Sequence, residues 1–159
     1  MNINNSTDIS YRYKMEPIHV SLTGRGSNCH TILTNIINIC NSINTSKDIL
    51  INYIANALGC SYNDISLKGH YDKEVIQKHI FNFINFAVIC NKCNIPELVP
   101  AVIKNNKNTY LKMTCSACGH TYELIGNNKI NQKLVDFMIK YYSLNQFTPK
   151  KGSLVMQPF

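Results

Sequence analysis

Residues 86–93 read FAVICNKC, an apolar run from Phe86 to Ile89 leading directly into two cysteines separated by two residues. A second pair, Cys115-Ser-Ala-Cys118, follows after 21 residues, with Gly119 directly behind it. A two-residue spacer lets both sulfurs of one turn converge on a tetrahedral metal at about 2.3 Å. Gly119 supplies the backbone freedom that such a knuckle needs. The separator is slightly longer than the usual ribbon range, which a hairpin between two knuckles tolerates. Cys90, Cys93, Cys115 and Cys118 are therefore expected to bind one zinc ion. Four thiolates fill the coordination shell and leave no position for water, so the ion is read as structural rather than catalytic. A redox reading lacks the βαβ context that usually surrounds a reactive C-x-x-C pair. His120 is read as a surface residue, not a fifth candidate ligand.

Working outward, residues 90–124 carry short β-prone pieces and no helical period, which assigns a zinc ribbon to residues 89–126. Ahead of it, Ile18, Val20 and Leu22 alternate as in a half-buried strand, and GRGSNCH (24–30) follows as a glycine-punctuated basic loop. Ile32, Ile36, Ile39, Cys40 and Ile43 fall at helical spacing, which predicts a helix from Thr31 to about Ile43. Ser46 is placed to cap a second helix, stopped by Gly59, and Asp72 to open a third. Residues 64–71, DISLKGHY, read as a short strand and turn. NQKLVDFMIKYY (131–142) predicts a last helix, and the end, TPKKGSLVMQPF, reads as loosely ordered. The fold class expected is α+β, a small two-layer α/β domain over residues 17–88 followed by the four-cysteine ribbon. Residues 127–159 then form a C-terminal helix and tail, and residues 1–16 a flexible N-terminal tail.

The chain has 159 residues, of which 45% are hydrophobic, enough for a real core. Lys and Arg outnumber Asp and Glu by 16 to 9, a formal charge of +7. A four-thiolate zinc site would bring this nearer +5, which still favours an anionic partner such as RNA. Charged residues are few at 16%, so basic patches stand out from an Asn-padded surface. No stretch approaches a membrane span of about 20 apolar residues, and the start lacks a signal-peptide core. The expected location is the cytoplasm (a host's, if the chain is viral), where seven cysteines argue for metal binding or free thiols rather than disulfides. Cys40, on an apolar helix face, is read as core.

The block Tyr11-Arg12-Tyr13-Lys14-Met15 stands out in an otherwise polar N-terminal segment. Together with GRGSNCHT, FAVICNKC, CSACG and NQKLVDFMIKYY, in that order, it resembles the N-terminal domain of eukaryotic translation initiation factor five. The resemblance covers about residues 10–145. It implies an α/β domain like that of initiation factor one, followed by a zinc ribbon. It also implies an activity: stimulating GTP hydrolysis by initiation factor two in the small-subunit preinitiation complex, and helping to lock initiator tRNA on the start codon. The beta subunit of initiation factor two shares the same core, and FAVICNKC resembles that too. Arg12 matches the family's tail arginine and is implied to act in trans as an arginine finger. A guanidinium at the γ-phosphate stabilises the spread charge of the transition state more than the ground state. Five residues from Arg12 to Pro17 extend about 17 Å, adequate reach for a free tail.

The implied partners are initiation factor two with its GTP and initiator tRNA, small-subunit RNA and the mRNA start site, met by a monomer and not at a membrane. GRGSNCHT lacks the Lys-Ser/Thr end of a phosphate loop, so the chain is expected to bind no nucleotide itself and to be no enzyme in isolation. Tyr11, Tyr13 and Lys14 are candidate partner contacts beside Arg12. Arg25, Asn28 and His30 are candidates in the loop, where Gly24 and Gly26 permit close approach to a phosphate and a following helix would add its dipole. His30 and Asn52 stand where the family often has basic residues. The alternative is a ribosome- or tRNA-binding module without activating power, its Tyr/Arg/Lys block lying along RNA by stacking and charge. A zinc-ribbon transcription factor is a third reading, opposed by the acid-free segment PAVIKNNKNTYL (100–111). Family members usually continue into a C-terminal helical-repeat domain that recruits other factors.

Overall fold

The computed structural model describes residues 1–145. The last segment singled out in the sequence, TPKKGSLVMQPF, lies outside them. Among the described residues there are two antiparallel sheets and four α-helices, the α+β architecture expected. In the first sheet, β1 (Val20–Thr23) pairs with β2 (His30–Leu33), β2 with β4 (Ser66–Lys68), and β4 with β3 (Tyr62–Asn63). Helices α1 (Ile36–Ser42), α2 (Lys47–Leu58) and α3 (Lys73–Ala87) complete this body. In the second sheet, β5 (Leu98–Lys104), β6 (Thr109–Cys115) and β7 (Thr121–Glu123) form a meander, followed by α4 (Lys129–Asn145).

The helix boundaries follow local chemistry. Ser46 caps α2, its hydroxyl accepting the Asp48 N–H at 3.3 Å, and Gly59 ends the helix in the left-handed region at φ 68°. Asp72 occupies the N-cap position of α3. On the inner faces, Leu50, Ile54, Ile76, Ile80 and Ile84 are fully buried. Tyr53 and Phe83 meet ring to ring across α2 and α3 at 5.5 Å between centroids. Leu33 from β2 and Leu67 from β4 close the same core from the sheet side.

The long helix expected from Thr31 is replaced by a strand and a short helix. Thr31 and Leu33 point inward and Ile32 is only half-buried, a period of two that continues until Thr34. The β-branched pair Thr31-Ile32 is a good strand former, and it sits between two strands that hydrogen-bond it from both sides. Only from Ile36 does the helical period take over, with Ile36, Ile39 and Cys40 buried. Into and along β1 the expected alternation weakens: Ile18, ahead of the strand, is buried, Val20 half-buried and Leu22 exposed.

The second correction concerns residues 1–16, expected to be a free tail. They form a closed loop docked on the body. Asn2 and Lys14 make an antiparallel bridge, with Ile3 N–H donating to the Tyr13 carbonyl at 3.1 Å and Met15 N–H to the Met1 carbonyl at 2.9 Å. Two apolar side chains anchor the loop, since Ile3 and Met15 are buried in the main core. The loop's interior is held by polar groups instead of hydrophobic bulk. The buried Asn2 amide donates to the carbonyls of Ser6 and Asp8, and its oxygen accepts from Lys14 Nζ at 2.5 Å. A polar segment thus needs few large apolar residues to be ordered, provided its own side chains satisfy its backbone.

Helix α4 returns from the ribbon to the body. It packs on α2 and against β5 and β6, with Leu134, Val135 and Met138 buried. Ser46 Oγ donates to the Tyr141 hydroxyl at 2.8 Å, tying the start of α2 to the last turns of α4. The two modules therefore share one continuous hydrophobic core.

Candidate functional site

The two cysteine pairs adopt matching turns. Cys90 N–H donates to the Ile95 carbonyl at 3.0 Å, and Cys115 N–H to the His120 carbonyl at 2.9 Å. Asn94 N–H returns to the Cys90 carbonyl at 3.0 Å, and Gly119 N–H to the Cys115 carbonyl at 2.8 Å. In each turn the residue after the second cysteine is left-handed, Asn94 at φ 58° and Gly119 at φ 73°. Asparagine and glycine are the residue types that accept this conformation most readily. The first knuckle thus uses the same geometry that Gly119 announces in the second.

These turns bring Cys90, Cys93, Cys115 and Cys118 together, with all four sulfurs within 4.8 Å of one another. Cys90 Sγ lies 3.8 Å from Cys118 Sγ, and Cys93 Sγ 3.6 Å from Cys115 Sγ. A tetrahedron with bonds of about 2.3 Å has edges of about 3.8 Å, close to these two distances, so the cluster suits one tetrahedral ion. Burial pushes the Cys90 thiol up, but hydrogen bonds from the backbone of Cys93 and Lys92, together with those from the Cys93 and Cys118 thiols, outweigh it and bring the group down to about 7. Lys92 N–H reaches Cys90 Sγ at 3.4 Å. The neighbouring thiols go the other way, burial pushing Cys93 up to about 12 and raising Cys115, so a metal ion binding here displaces protons from them. His120 stays outside the cluster with its ring stacked on Tyr122, 5.5 Å between centroids. Cys40 is buried, and burial raises its thiol to about 12, the state of an inert core residue.

The second group of candidates lies on the docked loop. Tyr11 and Tyr13 pack at 5.8 Å between ring centroids, both half-buried, while Arg12 between them and Lys14 after them are exposed. Lys14 is turned back into the loop, donating to Asn2 Oδ1 and to the Ile9 carbonyl. The Tyr13 hydroxyl donates to Glu97 Oε1 at 2.5 Å. Sequence reasoning missed Glu97: a lone acid 84 residues from its partner leaves no local pattern.

The third group, Arg25, Asn28 and His30, belongs to the β1–β2 connection. Arg25 and Asn28 are exposed and His30 is half-exposed, paired across the sheet with Lys68. Gly24 is required here, because at φ 77° an added Cβ would lie 1.9 Å from the Asn28 carbonyl oxygen. Only a three-residue 3-10 turn, Gly26–Asn28, follows, and it runs into β2. The helix dipole expected directly behind this loop is therefore absent, which leaves its side chains and backbone groups as the possible anion contacts. Asn52, on α2, donates to the Tyr62 hydroxyl at 3.3 Å. No helix among the described residues is long and apolar enough to cross a membrane.

An α/β body joined through a shared core to a four-cysteine, metal-ready ribbon defines a two-module architecture. The chain belongs to the family described as a domain found in initiation factors 2B and 5, whose model matches residues 3–121. It is similar to eukaryotic translation initiation factor 5 of Drosophila melanogaster, 29% identical over 147 residues, covering 88% of this chain and 30% of that protein. The factor from Saccharomyces cerevisiae is also 29% identical, over 140 residues, covering 84% of this chain and 33% of its own length. Translation initiation factor 2 subunit beta of Archaeoglobus fulgidus is 30% identical over 116 residues, covering 70% of this chain and 80% of that protein. The chain thus spans about a third of the two eukaryotic relatives and most of the archaeal one.

Proposed function

We propose that this chain acts in translation initiation as a GTPase activator in trans, serving initiation factor two in the small-subunit preinitiation complex and supporting start-codon selection and initiator tRNA locking. The observation that carries this reading is the family match over residues 3–121, which takes in the loop bearing Arg12 as well as all four cysteines. Arg12 is exposed on that loop between two half-buried tyrosines. In the proposed mechanism its guanidinium enters the partner's nucleotide site and neutralises charge building on the γ-phosphate oxygens. Such a group contributes roughly 10³–10⁵ in rate where it acts as a finger. One zinc ion, held by Cys90, Cys93, Cys115 and Cys118, has a structural role in fixing the ribbon.

The test is single-turnover GTP hydrolysis in a reconstituted initiation complex. Arg12→Ala is expected to lower the stimulated rate by about a thousandfold or more, with chain binding to the complex unchanged. Unchanged hydrolysis with weakened binding favours the second reading, a ribosome- or tRNA-binding module without activating power. That reading draws on the archaeal beta-subunit similarity and on the exposed Arg25 and Lys68 at one end of the first sheet. Its signature is binding that weakens steeply with salt and loses slope when Arg25 is replaced.

A further inference from the structure

The loop that carries Arg12 is fastened at two places of different kind. Its base is apolar, with Ile3 and Met15 in the core. Its return limb, one residue beyond Arg12, is tied to the ribbon by a polar contact, the Tyr13 hydroxyl on the Glu97 carboxylate at 2.5 Å. Glu97 belongs to the strap of residues 94–97 that joins the first knuckle to β5, and that strap is clamped from both cysteine pairs. Ile95 accepts the Cys90 N–H at 3.0 Å, Glu97 accepts the Ser116 N–H through its carbonyl at 2.9 Å, and Leu98 pairs with Cys115. The carboxylate that holds Tyr13 is therefore seated on the part of the ribbon that the four sulfurs bring together.

We propose that Glu97 is a positioning residue for Arg12: by holding Tyr13 it fixes the guanidinium-bearing limb on the ribbon rather than leaving it to search as a free tail. This rests on the activator reading above in one respect only, that Arg12 is the group being positioned for a partner. The physical gain is preorganisation. An arginine on a free tail loses its backbone freedom when it enters a partner's site, whereas one on an ordered limb has already lost it. Tyr11, packed against Tyr13, stiffens the residue on the other side. A hydrogen bond to a charged acceptor is also stronger than one between neutral groups, which suits a contact that ties the limb to another module.

The experiment uses the zinc-loaded chain and reads two quantities. The first is amide hydrogen exchange at Ile3 and Met15, whose N–H groups close the loop. Glu97→Ala and Tyr13→Phe are each expected to speed exchange there about tenfold or more, while the β1–β2 amides keep their protection. Tyr13→Phe leaves the strap untouched, so it separates loss of the contact from misfolding of the ribbon. Glu97→Gln retains an oxygen acceptor and is expected to restore slow exchange. Unchanged exchange in both Glu97→Ala and Tyr13→Phe overturns the proposal.

The second quantity is stimulated GTP hydrolysis. Glu97→Ala is expected to lower the maximal rate while leaving the half-saturating concentration of the chain within about twofold, and to have no further effect in an Arg12→Ala background. Independent, additive effects overturn positioning through Arg12, as does a faster rate, which would mean that the contact holds Arg12 back. If Arg12→Ala alone leaves hydrolysis unchanged, the activator reading fails, and the exchange result still decides whether Glu97 holds the loop.

Discussion

Tyr13 titrates far from an ordinary phenol. Burial is the largest cause, and the hydrogen bond to Glu97 with its negative charge adds to it, raising the group from 10.0 to about 12. Raising an acid's pKa in the folded state means that the protonated form is the one stabilised. The contribution of this contact is therefore complete below about pH 10 and is lost as pH rises through about 12. Absorbance titration of phenolate in the wild type and in Tyr13→Phe should show one tyrosine missing from the late part of the curve in the variant. A missing step near 10 would mean that Tyr13 is not on Glu97. At this scale the sequence was half legible. Cys90, Cys93, Cys115 and Cys118 declared themselves by spacing, because a knuckle is a local structure. Glu97 did not, because its role exists only once two segments far apart in the chain are brought together.

Elements were legible where their signals were local and misread where a partner strand decided. Ser46, Gly59 and Asp72 marked real helix ends, since capping acts within a few residues of the end it marks. Residues 31–33 were misread because Ile32, Ile36 and Ile39 satisfy a helical period from either a strand or a helix. The hydrogen bonds from β1 and β4 settle the matter, and they are non-local. The N-terminal loop was misread for a related reason, as Ile3 and Met15 are isolated in sequence and meet only after the loop closes. The helix caps allow a direct stability test. Ser46→Ala removes both the bond to Asp48 N–H and the donor to Tyr141, and is expected to cost about 1 kcal/mol in urea unfolding. A loss below a few tenths of a kcal/mol would show that neither contact contributes.

The molecule as a whole is organised around the junction of body and ribbon. Helix α4, the docked loop and the strap at Glu97 all cross it, so the proposed zinc ion would brace more than the knuckles that hold it. Structural zinc in small modules supplies on the order of 10–16 kcal/mol of apparent binding free energy, comparable with the whole stability of a domain. Elemental analysis should find one zinc per chain. Its removal by a chelator should lower the melting temperature and open the amides of β5 and β6 before those of α2 and α3. Equal loss of protection throughout would indicate a single cooperative unit instead. The central claim, that Arg12 completes a hydrolytic centre in another polypeptide, is tested most directly by a structure of the chain in an initiation complex trapped with a GTP transition-state analogue. The predicted result is the Arg12 guanidinium within hydrogen-bonding distance of the γ-phosphate position, with the Tyr13 hydroxyl still on Glu97. Arg12 resting on RNA, many ångströms from that phosphate, would contradict it.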